Sequence, residues 1–313
     1  MKAIAVRNPG RDYRLVLEDL VEPRPGPGRI VIKVAAAGVN RADLHQARGV
    51  YPPPPGAPET LGLEVSGHVV ALGDKGSSCK EGDAVTALLA GGGYAEYAVA
   101  EAGCALKLPA SLDVIAAAAL PEALFTAWTN IMDTARLKPG ETLLIHGGAS
   151  GIGVIAIQMF ASLGHDVFAT AGSDDKCRLC ERLGASRAIN YRKEDFVAAV
   201  KEASRGKGVD VILDMVGGSY VQRNMDAAAV GGRVVNIAYQ DGAAMTLNLG
   251  PMLRKSLTLT ATTLRGRTAP EKQAIRDRLL ERVWPLVAQG KILPVVDRQF
   301  ALADAGGAHE HLK

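Results

Sequence analysis

Apolar residues are grouped along the middle of the chain in an order typical of a parallel sheet. Residues 142–145 form an almost wholly apolar run, which predicts a strand buried on both faces. Four glycines lie within the next eight residues, and after them apolar residues recur at the spacing of an amphipathic helix. The pattern therefore predicts a strand, a glycine-rich turn and a helix in direct succession.

This succession forms the entrance of many dinucleotide sites. Glycine lets the backbone come close to a pyrophosphate, and the free N–H groups and dipole of the following helix supply the counter-charge. The spacing Gly148-x-x-Gly151-x-Gly153 departs from the usual G-x-G-x-x-G, since Ser150 stands where the middle glycine would be. By itself the motif does not separate a cofactor site from a glycine-rich turn that binds nothing.

Further apolar runs follow at regular intervals, each with a helix-like stretch before or after it. This alternation predicts an α/β fold with a doubly wound parallel sheet, a Rossmann arrangement. The predicted strands are 168–173, 188–191, 209–214 and 232–237.

The end of the second predicted strand indicates which dinucleotide is bound. An NAD site places an acidic residue there, about 20 residues after the glycine turn. Here Gly172 and Ser173 stand at that point, and Lys176 follows. A small hydroxyl residue with a nearby cation suits a 2′-phosphate, so we predict NADP(H). Asp174 and Asp175 are the counter-evidence, and we expect them to point into solvent at the start of the next helix.

Composition is that of an ordinary globular protein. The chain has 313 residues, enough for two domains, with 48% hydrophobic residues and a formal charge of +3, too small to indicate a nucleic-acid partner. The first residues run straight into a predicted strand, unlike a signal peptide, and no apolar run reaches the ~18 residues of a membrane span. We expect a cytoplasmic protein with no membrane association.

The four cysteines are few and scattered, which favours a reducing compartment. Cys177 and Cys180 are spaced as C-x-x-C, a spacing also found in redox and zinc sites. No second pair completes a zinc site, and the predicted helix puts both sulfurs on one face. We expect them to pack against the sheet.

The residues before about 118 have a different texture. Short strands such as 30–35 and 67–72 are separated by loops rich in proline and glycine, which indicates an all-β, partly barrel-like domain. Proline removes backbone donors, so the loop 50–56 must lie outside any sheet or helix. After about 267 the chain resumes with a predicted helix, 271–289.

A resemblance to a known family is carried by the stretches 40–44 (NRADL), 51–54 (YPPP), 61–67 (LGLEVSG), 144–146 (LIH), 150–153 (SGIG), 190–196 (NYRKEDF), 213–214 (LD), 217–220 (GGSY) and 293–298 (LPVVDR). With these stretches the whole chain resembles the quinone oxidoreductases of the zinc-free branch of the medium-chain dehydrogenase/reductase superfamily, relatives of zeta-crystallin. The resemblance implies a GroES-like β-rich catalytic domain, 1–118 plus 268–313, and a Rossmann NADP-binding domain, 119–267.

The resemblance also bears on zinc. In zinc-dependent members of the superfamily a cysteine occupies the position of Asn40 and a histidine that of Leu63. Neither an amide nor an alkyl group replaces thiolate and imidazole as a zinc ligand, so we predict no metal site. Without a Lewis acid the expected acceptor is one that takes hydride readily, such as a quinone or an activated enone.

Family roles can be carried over to matching positions. Asn40 and Tyr51 are the candidate catalytic residues, expected to border the nicotinamide and the acceptor. The ordinary alternatives are that Asn40 caps the next helix and that Tyr51 anchors its loop. The candidate cofactor-binding residues are Thr126, Ser150, Gly151, Ile152, Gly153, Gly172, Ser173, Lys176, Tyr191, Gly217, Ile237, Tyr239, Thr263, Leu264 and Arg265.

Several of these residues also have simpler interpretations. Thr126 could bond to its own helix backbone, Lys176 could be solvated, and Gly217 could serve a plain turn. Arg265 and Arg267 are expected to be surface cations. The histidines and Glu64 lack partners at the spacing of a triad or metal site, and His146 is expected to support the glycine turn.

We therefore predict an NADPH-dependent quinone oxidoreductase that needs no metal. The alternatives are an enone or enoyl reductase on the same scaffold and a crystallin-like protein that binds NADPH without turnover. Residues 256–262 alternate with period two at the predicted end of the sheet, and such an exposed edge invites pairing with a second copy. A homodimer is expected.

Overall fold

The computed structural model describes residues 1–74 and 78–313. The chain divides into two compact units. Unit 1 comprises Met1–Phe125, Arg265–Gly290 and Pro294–Lys313, and unit 2 comprises Thr126–Leu264 with Lys291–Leu293. Each unit is described by itself below.

The strands, in chain order, are β1 (Lys2–Arg7), β2 (Arg14–Asp19), β3 (Arg29–Ala37), β4 (Glu64–Leu72), β5 (Ala84–Leu88), β6 (Tyr97–Glu101), β7 (Ala105–Lys107), β8 (Thr142–Ile145), β9 (Asp166–Ala171), β10 (Arg187–Asn190), β11 (Val209–Asp214), β12 (Ala228–Asn236) and β13 (Thr258–Ala261). The α-helices are α1 (Arg41–Ala47), α2 (Pro121–Trp128), α3 (Gly151–Ser162), α4 (Asp174–Arg182), α5 (Phe196–Ala203), α6 (Tyr220–Ala227), α7 (Gly250–Lys255), α8 (Ala269–Arg282), α9 (Trp284–Ala288) and α10 (Ala305–Leu312).

Unit 2 contains a six-stranded parallel sheet in the order β10-β9-β8-β11-β12-β13. The order reverses between β8 and β11, where loops at the carboxyl ends of adjacent strands lead to opposite sides and leave a crevice. The strands are apolar because helices cover the sheet, and the core includes Leu144, Phe168, Ile189, Ile212 and Val234. The predicted α/β fold with a parallel Rossmann sheet is confirmed.

Unit 1 is built from antiparallel strands. Five of them form a sheet in the order β6-β3-β4-β5-β7, and β1 pairs with β2 in a separate hairpin. The core lies on one face of the larger sheet and includes Ile30, Ile32, Val65, Val69 and Val85. The predicted loop 50–56 contains neither helix nor strand.

The prediction of one continuous helix over 271–289 is wrong. The structure has two helices, α8 and α9, which meet at Val283. Pro285 lacks the N–H that a continuous helix would use, and it occupies the first turn of α9, where that group would have no partner. At its start, α8 is fixed by a reciprocal capping box between Thr268 and Glu271.

All four cysteines are buried and none of them forms a disulfide. Cys177 and Cys180 lie on the inner side of α4. Within residues 1–74 and 78–313, none of the helices combines the length and apolar character needed to cross a bilayer.

Candidate functional site

The glycine turn after β8 presents a helix N-terminus with open backbone donors. Ser150 is the N-cap of α3, and its Oγ accepts a hydrogen bond from the Gly153 N–H at 3.1 Å. The N–H groups of Gly151 and Ile152, in the first turn, have no acceptor within the helix. Ser150 thus serves the helix with its side chain and leaves two adjacent backbone donors for a ligand.

Gly153 and Gly151 of the turn are glycines for different physical reasons. A methyl group at Gly153 would lie 2.3 Å from the carbonyl oxygen of Gly147, so the helix can start this close to the turn only without a side chain. A methyl group at Gly151 would meet nothing within 4 Å. Gly151 borders open space beside free donors, which fits the approach of a pyrophosphate.

Gly172, Ser173, Lys176 and Tyr191 come together at the carboxyl end of β9. A methyl group on Gly172 would lie 2.7 Å from the Tyr191 hydroxyl, so the two residues are in direct contact. Ser173 caps α4, and its Oγ accepts from the Lys176 N–H at 3.3 Å. The Lys176 side chain is exposed and its charge is available to a bound anion.

The two acids that follow do not simply point into solvent. The Asp174 carboxylate accepts from Lys193 Nζ at 2.5 Å and from Asn190 Nδ2 at 2.6 Å, and both bonds lower the pKa of Asp174. Asp175 pairs with Arg178 on the same helix. Both acids are exposed at the start of α4, as expected, but the pairing of Asp174 was not predicted, because its partners come from the end of β10 and the turn after it.

A buried hydrogen-bonded chain lies at the carboxyl ends of the central strands. Asp214 Oδ2 accepts from the side-chain amides of Asn224 at 2.9 Å and Asn236 at 2.8 Å. Because the Asn224 amide nitrogen donates to the carboxylate, its oxygen accepts from His146 Nε2 at 2.7 Å. His146 Nδ1 then accepts from the Thr170 hydroxyl at 2.9 Å.

Burial lowers the pKa of His146 and keeps the ring neutral, as this arrangement requires. The histidine therefore ties β8 to β9 and to α6 next to the glycine turn. Sequence reasoning gave no role to Asp214, Asn224 or Asn236. The available signal in the sequence was the polar residue at the end of an apolar run, as at Asp214 and Asn236.

Gly217, Ile237 and Tyr239 follow the ends of β11 and β12. The Ile237 N–H donates to the carbonyl oxygen of Asp214 at 2.8 Å. Gly217 has φ +68°, and a methyl group there would lie 2.5 Å from the Tyr239 ring. A cavity of about 210 Å³ lies beside Tyr239 and Asn236.

Thr126, Thr263 and Leu264 belong to the same unit. The Thr126 carbonyl accepts from Asn130 Nδ2 at 2.8 Å, and Asn130 Oδ1 accepts from the Thr262 hydroxyl at 2.6 Å. Asn130 lies in a π-helical turn, Thr129–Thr134, a conformation enriched at functional sites. Sequence reasoning missed Asn130, which links Thr126 to the segment containing exposed Thr263 and buried Leu264.

In unit 1, Asn40 is held by a buried acid. Asn40 Nδ2 donates to Glu64 Oε1 at 2.8 Å, and the backbone N–H of Asn40 donates to Asp43 at 2.8 Å. Glu64 Oε2 also accepts from the Glu122 N–H at 2.8 Å. Burial raises the pKa of Glu64 to about 8. Glu64, set aside by sequence reasoning, is thus the side chain that orients the Asn40 amide.

Tyr51 and Arg265 form a second pair in unit 1. Arg265 is 7% exposed, and its guanidinium carbon lies 5.4 Å from the centre of the Tyr51 ring. The expectation of a surface cation is wrong for Arg265, because the guanidinium donates to Gln46 and to the Ala90 carbonyl in the interior. Tyr51 is half-buried, and burial raises its pKa.

The possible metal ligands of the described residues are dispersed. In residues 1–74 and 78–313, no group of three or more His, Cys, Asp or Glu side chains is placed to hold a metal ion. Leu63, at one of the two positions compared with zinc-dependent proteins, is buried.

Comparison with known proteins identifies both halves of the fold. The family model "Alcohol dehydrogenase GroES-like domain" matches residues 26–110, and "Zinc-binding dehydrogenase" matches residues 151–281. The quinone oxidoreductase of Lama guanicoe is 32% identical, with 100% of this chain and 93% of that protein aligned.

Two solved structures extend the comparison. The Escherichia coli quinone oxidoreductase complexed with NADPH is 31% identical, covers 100% of this chain and 96% of its own, and has a TM-score of 0.83. The CurK enoyl reductase has a TM-score of 0.85 at 24% identity, covering 100% and 96%, a likeness that shows the fold alone.

We predict opposite effects for alanine at two glycines of the turn. Gly153→Ala should destabilise the protein by about 1–3 kcal/mol, because its methyl group meets carbonyl oxygens. Gly151→Ala should leave the melting temperature unchanged but weaken NADP⁺ binding about tenfold or more, because its methyl group fills the space open to the pyrophosphate. Thermal unfolding and fluorescence titration measure the two effects. Unchanged NADP⁺ affinity in Gly151→Ala would contradict the placement of the ligand.

The raised pKa of Glu64 predicts a pH-dependent stability. Between its ordinary pKa of 4.5 and about 8, folded Glu64 retains a proton that the unfolded chain has released, so the free energy of unfolding should fall as pH rises through this range. In Glu64→Gln, which cannot titrate, the fall should be shallower. Urea unfolding at several pH values provides the test, and equal slopes in both proteins would rule out the assignment.

Proposed function

This chain belongs to the quinone oxidoreductases of the medium-chain dehydrogenase/reductase superfamily, and from that premise we propose that it reduces a quinone with NADPH and without a metal ion. The observation that carries the choice of cofactor is the grouping of Gly172, Ser173, Lys176 and Tyr191 at the end of β9. Lys193, which pairs with Asp174, partly offsets the negative charge that would repel a 2′-phosphate.

NADPH, when bound, supplies the hydride. The backbone donors of the glycine turn would hold its pyrophosphate, and Ser173, Lys176 and Tyr191 would surround its 2′-phosphate. The remaining contacts are proposed for the residues at the carboxyl ends of the later strands and for the segment that Asn130 supports. These residues are Thr126, Gly217, Ile237, Tyr239, Thr263 and Leu264.

Asn40 and Tyr51 are proposed to orient the acceptor. Glu64 fixes the Asn40 amide, and Arg265 lies against the Tyr51 ring, so both side chains are held before a ligand arrives. Holding an acceptor in a reactive geometry can itself supply a large part of the rate enhancement. Protons reach the reduced product from water, and no side chain is assigned as an obligatory acid.

A panel of acceptors tests the function. NADPH oxidation measured with quinones, enones and enoyl thioesters should be fastest with quinones and unaffected by a chelator. Preference for enoyl thioesters would favour an enoyl reductase. NADPH binding without oxidation would favour a binding protein.

We further propose a cytoplasmic homodimer. Four buried cysteines that form no disulfide suit a reducing compartment. Strand β13 lies at the edge of the six-stranded sheet, and an unpaired edge can add a strand from a second copy. Sedimentation at micromolar concentration should give twice the chain mass.

Lys176 should determine much of the preference for NADPH over NADH. We expect the wild-type protein to bind NADPH at least tenfold more tightly, about 1.4 kcal/mol, and Lys176→Ala to lose most of that preference because the 2′-phosphate loses its cation. Fluorescence titration with both cofactors measures the affinities. Lys201→Ala, on α5, is the control. A preference that survives Lys176→Ala would contradict the charge argument.

Substitutions of Tyr51 should separate positioning from proton donation. We expect Tyr51→Phe to retain most of the quinone reduction and Tyr51→Ala to lose far more, because only the second removes the ring. An obligatory acid would instead cost a factor of about 10² or more on loss of the hydroxyl alone. The comparison is kcat/KM at saturating NADPH, and equal, severe losses in both variants would show that the hydroxyl carries chemistry.

A further inference from the structure

Arg265 is a buried cation whose hydrogen-bond partners are all neutral. Its Nε and Nη2 donate to the Ala90 carbonyl at 3.0 and 2.8 Å, and Nη2 also donates to Gln46 Oε1 at 2.8 Å. Nη1 is buried and has no hydrogen-bond partner among the described residues. Asp43 and Glu122 influence Arg265 electrostatically, but within the described part of the chain no carboxylate forms an ion pair with it.

This arrangement is costly unless a ligand completes it. Buried charges in proteins are normally paired, and a buried donor left without an acceptor destabilises the fold, more so when it is charged. The Arg265 charge lies beside Tyr51, a residue proposed to orient the acceptor. The missing partner is therefore an acceptor atom, and an anionic one would satisfy both the donor and the charge.

The guanidinium is also held rigidly from several directions. Gln46, which accepts from it, donates its own amide to the Glu59 carbonyl at 2.8 Å. Lys272 Nζ donates to the Arg265 carbonyl at 2.9 Å. A donor fixed in this way needs little reorganisation when charge develops at its partner.

We propose that Arg265, through Nη1, donates to the carbonyl oxygen of the electron acceptor and stabilises the negative charge that develops there. The inference rests on the proposed function. In the step, a hydride carrying two electrons passes from NADPH to the quinone, which leaves NADP⁺ and the hydroquinone monoanion. A proton from water then completes the hydroquinone. Arg265 acts while the oxygen is anionic and keeps its own protons throughout.

An oxyanion could also come from a phosphate of the cofactor, and kinetics distinguish the two sources. In Arg265→Met we expect kcat/KM for a quinone at saturating NADPH to fall about 10²-fold, the typical loss for one fixed oxyanion donor. The NADPH dissociation constant should stay within about twofold. Arg265→Lys keeps the positive charge but lacks the planar N–H donors of the guanidinium, so its kcat/KM should lie between those of the wild-type protein and Arg265→Met. Arg282→Met, which changes an exposed arginine at the end of α8 in the same unit, is the control.

A second readout does not depend on turnover. 4-Nitrophenol is a ring with one ionisable oxygen, and its anion has a visible absorption band. Bound to the NADP⁺-loaded protein, it should ionise at lower pH than in solution, because Arg265 stabilises the anion. In Arg265→Met the shift should disappear while thermal unfolding reports whether the fold is intact.

The outcomes separate the explanations. A shift that is lost in Arg265→Met supports the proposal, even if the wild-type protein reduces no quinone and the proposed function fails. Weakened NADPH binding with unchanged kcat/KM at saturation would make Arg265 a cofactor ligand and overturn the proposal. Reduced melting temperature with an unchanged nitrophenol titration would make it only an anchor for Tyr51, and would overturn it equally.

Discussion

The carboxylate of Asp214 organises the edge of the parallel sheet where the candidate site lies. It is fully buried and accepts four hydrogen bonds, two from side-chain amides and two from backbone N–H groups of the following turn. The amides come from α6 and β12, and the chain continues through Asn224 to His146, directly after β8, and Thr170 on β9. One buried acid thus sets the relative positions of several strand ends and of the turn at Gly217, because all four donors converge on it.

In unit 1 a different acid, Asp43, holds separate segments of the chain together. Asp43 accepts from the backbone N–H groups of Asn40 and Gly62 and from the Tyr94 hydroxyl. The Tyr94 hydroxyl lies 3.2 Å from His309 Nε2, which extends the chain of hydrogen bonds to α10. The start of α1, where Asn40 sits, is therefore fixed by residues far apart in sequence. Substitutions in α10 can influence the candidate acceptor site without contacting it.

The parts of the fold that could be predicted from sequence are those encoded by local pattern. β11 has the predicted bounds, 209–214, because a strand covered on both faces must be apolar throughout. The break at Val283 and the pairing of Asp174 with Lys193 were not predicted. The same holds for the burial of Arg265, whose partners lie 175 and 219 residues away. Residue type identified the candidates, but tertiary contacts determine which of them are charged, paired or oriented.

The pairing of Asp174 with Lys193 has a consequence for how cofactor choice could change. Asp174, an acid of the kind that would favour an unphosphorylated ribose, is already present at the first position of α4, but exposed Lys193 forms an ion pair with it. In the proposed cofactor site, part of the selectivity would depend on this solvent-accessible ion pair, whose attraction dissolved salt screens over roughly 8 Å at physiological ionic strength. Discrimination between the two dinucleotides would then vary with ionic strength, and a change at Lys193 alone would expose the carboxylate. A single substitution at Lys193, outside both the glycine turn and the sheet, would then change the preference between phosphorylated and unphosphorylated cofactors.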